Sequence, residues 1–182
     1  MLFQFIIQDI KEPLSFLPIA LALALLFLFL QIGLKRLICH YKGVKSAIPW
    51  KQTLVDFILL TYFVVLLWIS FFSRPAGSRN RLDLEFFSTW GSSAYSQRYF
   101  IENILMTIPF GLLIPIRFIR FRGPMRICML TFCMSILLEI TQYVTRRGYC
   151  QVDDVITNTS GALVGYGIYY ILCIVPKKRN DF

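Results

Sequence analysis

Charge is what this sequence has least of. Asp, Glu, Lys and Arg make up 16% of its 182 residues, against roughly one-quarter in a soluble globular domain. Histidine is nearly missing: the one copy, His40, stands among basic residues just after the first apolar run, with no partner at metal-ligand spacing. It reads as an interfacial side chain. The five cysteines, Cys39, Cys128, Cys133, Cys150 and Cys173, contain no CxxC pair and no Cys/His spacing suited to zinc. No linker, low-complexity tract or internal repeat divides the chain. One compact unit without a metal or cofactor is the expectation.

What fills the sequence is apolar surface. Apolar residues make up 57% of it, aromatic residues 16%, and the mean hydropathy is +0.62. Apolar runs cover residues 14–34, 53–72, 100–118, 127–144 and 155–175. Helices of about 20 residues, rising about 1.5 Å per residue, cross a hydrocarbon core roughly 30 Å thick. The expected fold is therefore all-α, a polytopic transmembrane helix bundle of about five spans. The first run exceeds the roughly 7–15 residues of a signal-peptide core, and its basic cluster follows it, so it is expected to be retained as a helix. Residues 1–52 read as an extra N-terminal helix with a basic loop, 53–175 as the main transmembrane domain, and 176–182 as a basic tail.

A net charge of +9 raises the question of nucleic acid. The cations lie in short clusters between apolar runs and not along one helix face, which points to membrane topology. Twelve of the nineteen Lys and Arg residues fall in the segment 35–51, the turn 117–126 and the tail, and seven fall on the other side. Basic residues collect on the cytoplasmic side. The expectation is a multi-pass protein of the cell membrane with its N-terminus outside and its C-terminus in the cytoplasm. The loop 73–99, with Phe86, Phe87, Trp90 and Tyr95, would lie on the outer interface. It reads either as an aromatic anchor or as a lid over a lateral cavity.

Polar residues inside spans are costly and face the bundle interior or a wet cavity. Asn103 opens span three, Glu139 and Gln142 close span four, and Asp153, Asp154 and Asn158 open span five. On the expected topology all sit in the outer half of the membrane. Glu139 and Gln142 are three apart, Asp154 and Asn158 four apart, so each pair shares a helix face. Gly161 and Gly165 continue that face as a GxxxG pattern that admits a second backbone. Pro109, followed by Gly111, removes one hydrogen bond within span three. One reading is a ligand pocket open to the outside. The other is interhelical hydrogen bonding, with Asp154 capping span five. A buried Glu139 must be protonated, bound to a ligand or paired with a cation such as Arg147 or Arg98.

At these residues the chain resembles the VanZ-like family of bacterial membrane proteins. The likeness rests on Glu102-Asn103-Ile104-Leu105, Ile108-Pro109-Phe110-Gly111, Leu138-Glu139-Ile140-Thr141-Gln142, Arg147-Gly148, and the run from Val152-Asp153-Asp154 through Asn158 to Gly161. Ser160 stands where the family commonly has a second Gly, which keeps a small residue. The likeness covers roughly residues 57–175. It implies a membrane protein linked in some members to lowered susceptibility to glycopeptide antibiotics of the teicoplanin type. It implies no reaction.

Three functions compete. The first is binding or occlusion of a lipid-anchored ligand, a lipoglycopeptide or a lipid-linked cell-wall precursor, with membrane lipid as the constant partner and no nucleic acid. The second is an enzyme on a lipid-linked substrate, with Glu139 as acid or base and Asp153 and Asp154 around a divalent cation. Successive helical residues point about 100° apart, so both carboxylates reach one ion only if the helix starts between them. The third is a transporter, which needs a homo-oligomer and for which no inverted repeat is visible.

Overall fold

The computed structural model describes residues 2–45, 48–72, 77, 79–83, 85–86 and 94–174. The basic tail at Lys177, Lys178 and Arg179, and the aromatic residues Phe87 and Trp90, lie outside the described residues.

Helix α1 runs Leu2–Tyr41 and contains Pro13 and Pro18. Ala20, Ala24 and Leu28, four residues apart and therefore on one stripe, are buried, while Leu25, Phe29 and Leu37 are exposed. The small stripe lets α1 pack against α2, and the large apolar residues face lipid. Helix α2 spans Trp50–Leu67 and continues as a π-helical turn, Trp68–Phe72. Phe16 stacks on Trp68 with ring centroids 4.0 Å apart.

Helix α3, Ala94–Arg117, is unbroken through Pro109 and Pro115. It begins earlier than residue 100, so the end of the expected loop 73–99 is helical. A short 3-10 turn, Ile119–Phe121, leads to α4, Pro124–Val144. Gly123 in extended conformation precedes Pro124 at the first helical position, where a missing N–H costs nothing. Helix α5 covers Val152–Tyr169 and ends in a second π-helical turn, Tyr170–Ile174.

Among the described residues, four helices, α1 to α4, are long and apolar enough to cross a membrane. Helix α5 is less apolar for a physical reason. Asp153, Thr157, Asn158, Gly161 and Gly165 are all buried, so its polar and small residues meet protein in place of lipid. It packs between α3 and α4. A Cβ on Gly161 would overlap the Ile104 carbonyl and the Thr107 hydroxyl, and one on Gly165 would overlap the Ile108 carbonyl. From the α3 side, a Cβ on Gly111 would overlap the Ala162 carbonyl. Backbone therefore touches backbone along this seam, as small-residue stripes permit. Below it lies the core of Leu59, Phe110, Ile114, Ile127, Ala162, Tyr166 and Tyr169.

The helical reading contained no strand, and here the structure adds one pair. Strand β1, Arg79–Asp83, lies parallel to β2, Arg147–Gln151, with Arg79 opposite Arg147 and Asp83 opposite Gln151. Parallel strands need a long crossover, and the α3–α4 hairpin supplies it. Part of the loop expected to lie on the outer interface is thus fixed by backbone hydrogen bonds beside the start of α5.

Candidate functional site

The site is assembled where β2 turns into α5. Gln151, extended at φ −122° and ψ 131°, precedes the first helical residue, and its own side chain makes no capping hydrogen bond. Its backbone N–H donates to Glu139 Oε2 at 3.0 Å. A carboxylate from α4 thereby holds the strand-to-helix junction, and Glu139 is 4% exposed.

Asp153 and Asp154 occupy the first turn of α5, next to the positive end of the helix dipole. Gln151 holds the N-cap position, and Asp154, offered from the sequence as one possible cap, is the third helical residue. Its Oδ1 accepts a hydrogen bond from Asn103 Nδ2 at 2.7 Å, joining α3 to α5 across the bundle. The helix begins at Val152, ahead of both aspartates, so the two carboxylates diverge by about 100°. Joint ligation of one divalent cation does not fit that geometry. Among the described residues, no group of three or more His, Cys, Asp or Glu is placed to hold a metal.

Cys150, on β2, stands one residue before Gln151 and is near enough to Glu139 and Asp154 to feel both charges. Burial pushes its thiol above the ordinary range, and the negative charges of Glu139 and Asp154 push it further. One side chain thus senses both carboxylates.

Gln142 and Arg147 serve a different contact. A π-helical turn shifts the hydrogen-bond register and leaves carbonyls to be satisfied from outside. Gln142 Nε2 donates to the Ser70 carbonyl at 3.2 Å, and Arg147 Nη1 donates to the Phe71 carbonyl at 2.6 Å. The Arg147 guanidinium also lies 5.8 Å from the Phe72 ring centroid. Arg147 is therefore not the partner of Glu139 that the sequence suggested; it clamps the end of α2. Gly148 is buried against Gln142, whose Oε1 a Cβ would meet at 2.9 Å. Arg98, the other cation considered, pairs with Glu102 at 3.0 Å one turn along α3.

Asn158 sits one turn deeper. Its Nδ2 donates to Ser135 Oγ at 2.9 Å, while its buried Oδ1 has no hydrogen-bond partner. The structure thus ties Glu139 to Gln151 and Asn103 to Asp154 at the start of α5, assigns Gln142 and Arg147 to the α2 turn, and places Asn158 against Ser135. Ser135, Cys150 and the carbonyls of Ser70 and Phe71 were not singled out from sequence. A readable signal existed for one of them: Thr131, Ser135 and Glu139 repeat every four residues on α4, and all three are buried.

These features define a polytopic membrane-helix protein whose buried carboxylates are gathered at one end of the bundle. The model of the VanZ/LLP1 family matches residues 57–173, and the chain belongs to that family. Protein VanZ of Enterococcus faecium is 29% identical over 119 residues, covering 62% of this chain and 71% of that protein. No solved structure matches.

Proposed function

We propose that this protein binds or occludes the polar head of a lipid-anchored ligand at the outer leaflet, and so lowers susceptibility to glycopeptide antibiotics of the teicoplanin type. The observation that carries the reading is that Glu139 from α4 and the Asn103–Asp154 pair from α3 and α5 both meet the chain at the β2–α5 junction. Ionisable groups buried in a membrane bundle mark functional positions. Lipid-facing residues beside this end, such as Ile140 and Val144, offer apolar surface for an acyl tail. The enzyme reading loses support from the divergence of Asp153 and Asp154.

The reading places this end of the bundle outside the cell, as the excess of basic residues at the other end favours. The ligand would be a lipoglycopeptide or a lipid-linked cell-wall precursor. The test is antibiotic susceptibility of cells that carry matched amounts of the protein or of the Asp154→Ala variant. Reduced susceptibility to teicoplanin is expected with the native chain and is expected to be largely lost in the variant. Equal susceptibility with the native chain and with empty vector would refute the reading.

A further inference from the structure

At the opposite end of the bundle, α1, α2 and the last residue of α3 enclose a cavity of about 170 Å³. We propose that this cavity binds the phosphate of an anionic phospholipid from the adjacent leaflet. The case begins with charge. Among the described residues that line the cavity, Lys35 and Arg117 are the cations and Asp56 is the carboxylate, a mainly basic lining that suits a phosphodiester.

Donor capacity comes next. Arg117 directs Nε and Nη2 at the two oxygens of Asp56, which fixes the guanidinium and leaves Nη1 for another acceptor. The side-chain amides of Gln31 and Gln52 line the same cavity, and neither is hydrogen-bonded to a described residue. A phosphate group presents several acceptor oxygens, and Arg is suited to meeting two of them at once.

Depth then selects the source of the phosphate. Trp50 opens α2 and is exposed, with the Lys51 ammonium 5.7 Å from its ring centroid. Tryptophan and lysine of this kind sit at the headgroup level. Leu28, Ile32 and Ile48 form the apolar part of the cavity wall, so a headgroup in the cavity would have its acyl chains beside membrane-facing surface. A free phosphate would gain nothing from that wall. Among the described residues lining the cavity, Arg117 is the one within the family-matched region 57–173, so the site lies between the added helix, the start of α2 and the end of α3, away from the carboxylate end.

The full-length protein, purified and returned to phosphatidylcholine nanodiscs, can be titrated with phosphatidylglycerol or with inorganic phosphate. Thermal unfolding and lipid retention in native mass spectrometry are the readouts, since a ligand of the folded state raises the unfolding temperature. Phosphatidylglycerol should raise that temperature and be retained at least tenfold better than phosphatidylcholine. The Gln52→Leu and Gln31→Leu variants break no hydrogen bond and keep the Asp56–Arg117 pair, so they should fold. Together with Lys35→Gln they should lower the preference at least tenfold. An unchanged preference in all three variants would refute the site. An equal temperature rise with inorganic phosphate would refute the lipid as its ligand, and no preference over phosphatidylcholine would refute both.

Discussion

Asn103 and Asp154 stand 51 residues apart in sequence and are joined by a 2.7 Å hydrogen bond between α3 and α5. The bond is possible because Gly161 and Gly165 bring the two backbones into contact just below it. A bond at the top of a seam and small residues along it are one device. Both should therefore fail together.

For the pair itself, a double-mutant cycle with Asn103→Ala and Asp154→Ala should show a coupling of about 0.6 kcal/mol, the average measured between helices in membranes, and up to about 1.7 kcal/mol. Unfolding in mixed detergent supplies the measurement. Strict additivity of the two single effects would mean that the residues do not interact.

For the seam, Gly161→Ala should destabilise by about 1–3 kcal/mol, the usual cost of overpacking. The Ile104 carbonyl, a backbone group, cannot yield without moving α3. Gly167→Ala is the control in the same helix, because nothing lies within 4 Å of its added Cβ. It should be neutral or stabilise by up to about 1 kcal/mol, the helix-propensity difference. Equal effects at both positions would contradict the close approach.

The helices were legible because hydrophobic run length alone specifies them. The end of α2 illustrates this: the apolar run stops at Phe72, and so does the π-helical turn. The polar positions were also visible, since Glu139 and Asp154 stand out in apolar surroundings. Their partners were not. Arg147 looked like the counter-charge for Glu139, but the π-helical turn of α2 presents a carbonyl that no hydropathy pattern reveals, and Arg147 goes there. Asp154 looked like a cap because it precedes an apolar run; the real boundary is the end of β2, whose five residues Arg147–Gln151 show no apolar alternation. The parallel partner, Arg79–Asp83, is equally polar. Strand pairing there follows from position and crossover, which sequence periodicity cannot encode.

Cys150 offers a pH-dependent probe of the site. Its thiol is raised by burial and then by Glu139 and Asp154, so at a given pH less of it is thiolate than in an ordinary exposed cysteine. The other four cysteines, all free, can be replaced to isolate it. Alkylation of Cys150 should then rise with pH at a midpoint above the usual thiol range of about 8.5. Glu139→Gln removes a negative charge and should move that midpoint down. An unchanged midpoint in the variant would separate Cys150 from Glu139.

Orientation can be read with the same cysteine-free background. Leu82 on β1 and Lys45 beyond α1 are both exposed and lie at opposite ends of the bundle. If the basic end is cytoplasmic, an impermeant thiol reagent should label Leu82→Cys in intact cells and spare Lys45→Cys. The reverse pattern would move the carboxylate site to the cytoplasmic side and remove the proposed access to an outer-leaflet ligand.

Carboxylate-to-amide exchange at Glu139 and Asp154 separates binding from catalysis and from mere architecture. An amide keeps the size and one carbonyl acceptor while removing charge and titration. Asn at position 154 can still accept from Asn103 Nδ2, and Gln at position 139 can still accept the Gln151 N–H, so both variants should fold. If the carboxylates only tie helices together, Asp154→Asn and Glu139→Gln leave the antibiotic phenotype intact. If Glu139 transfers a proton, turnover of a lipid-linked substrate should fall by about 10²- to 10⁴-fold. A charged binding site lies between these limits: each amide weakens protection in part, and the purified protein converts no lipid-linked precursor before or after substitution. The measurements are susceptibility at matched expression and product formation by purified protein. Product that appears with the native chain and vanishes in both amide variants would replace the binding reading with an enzyme.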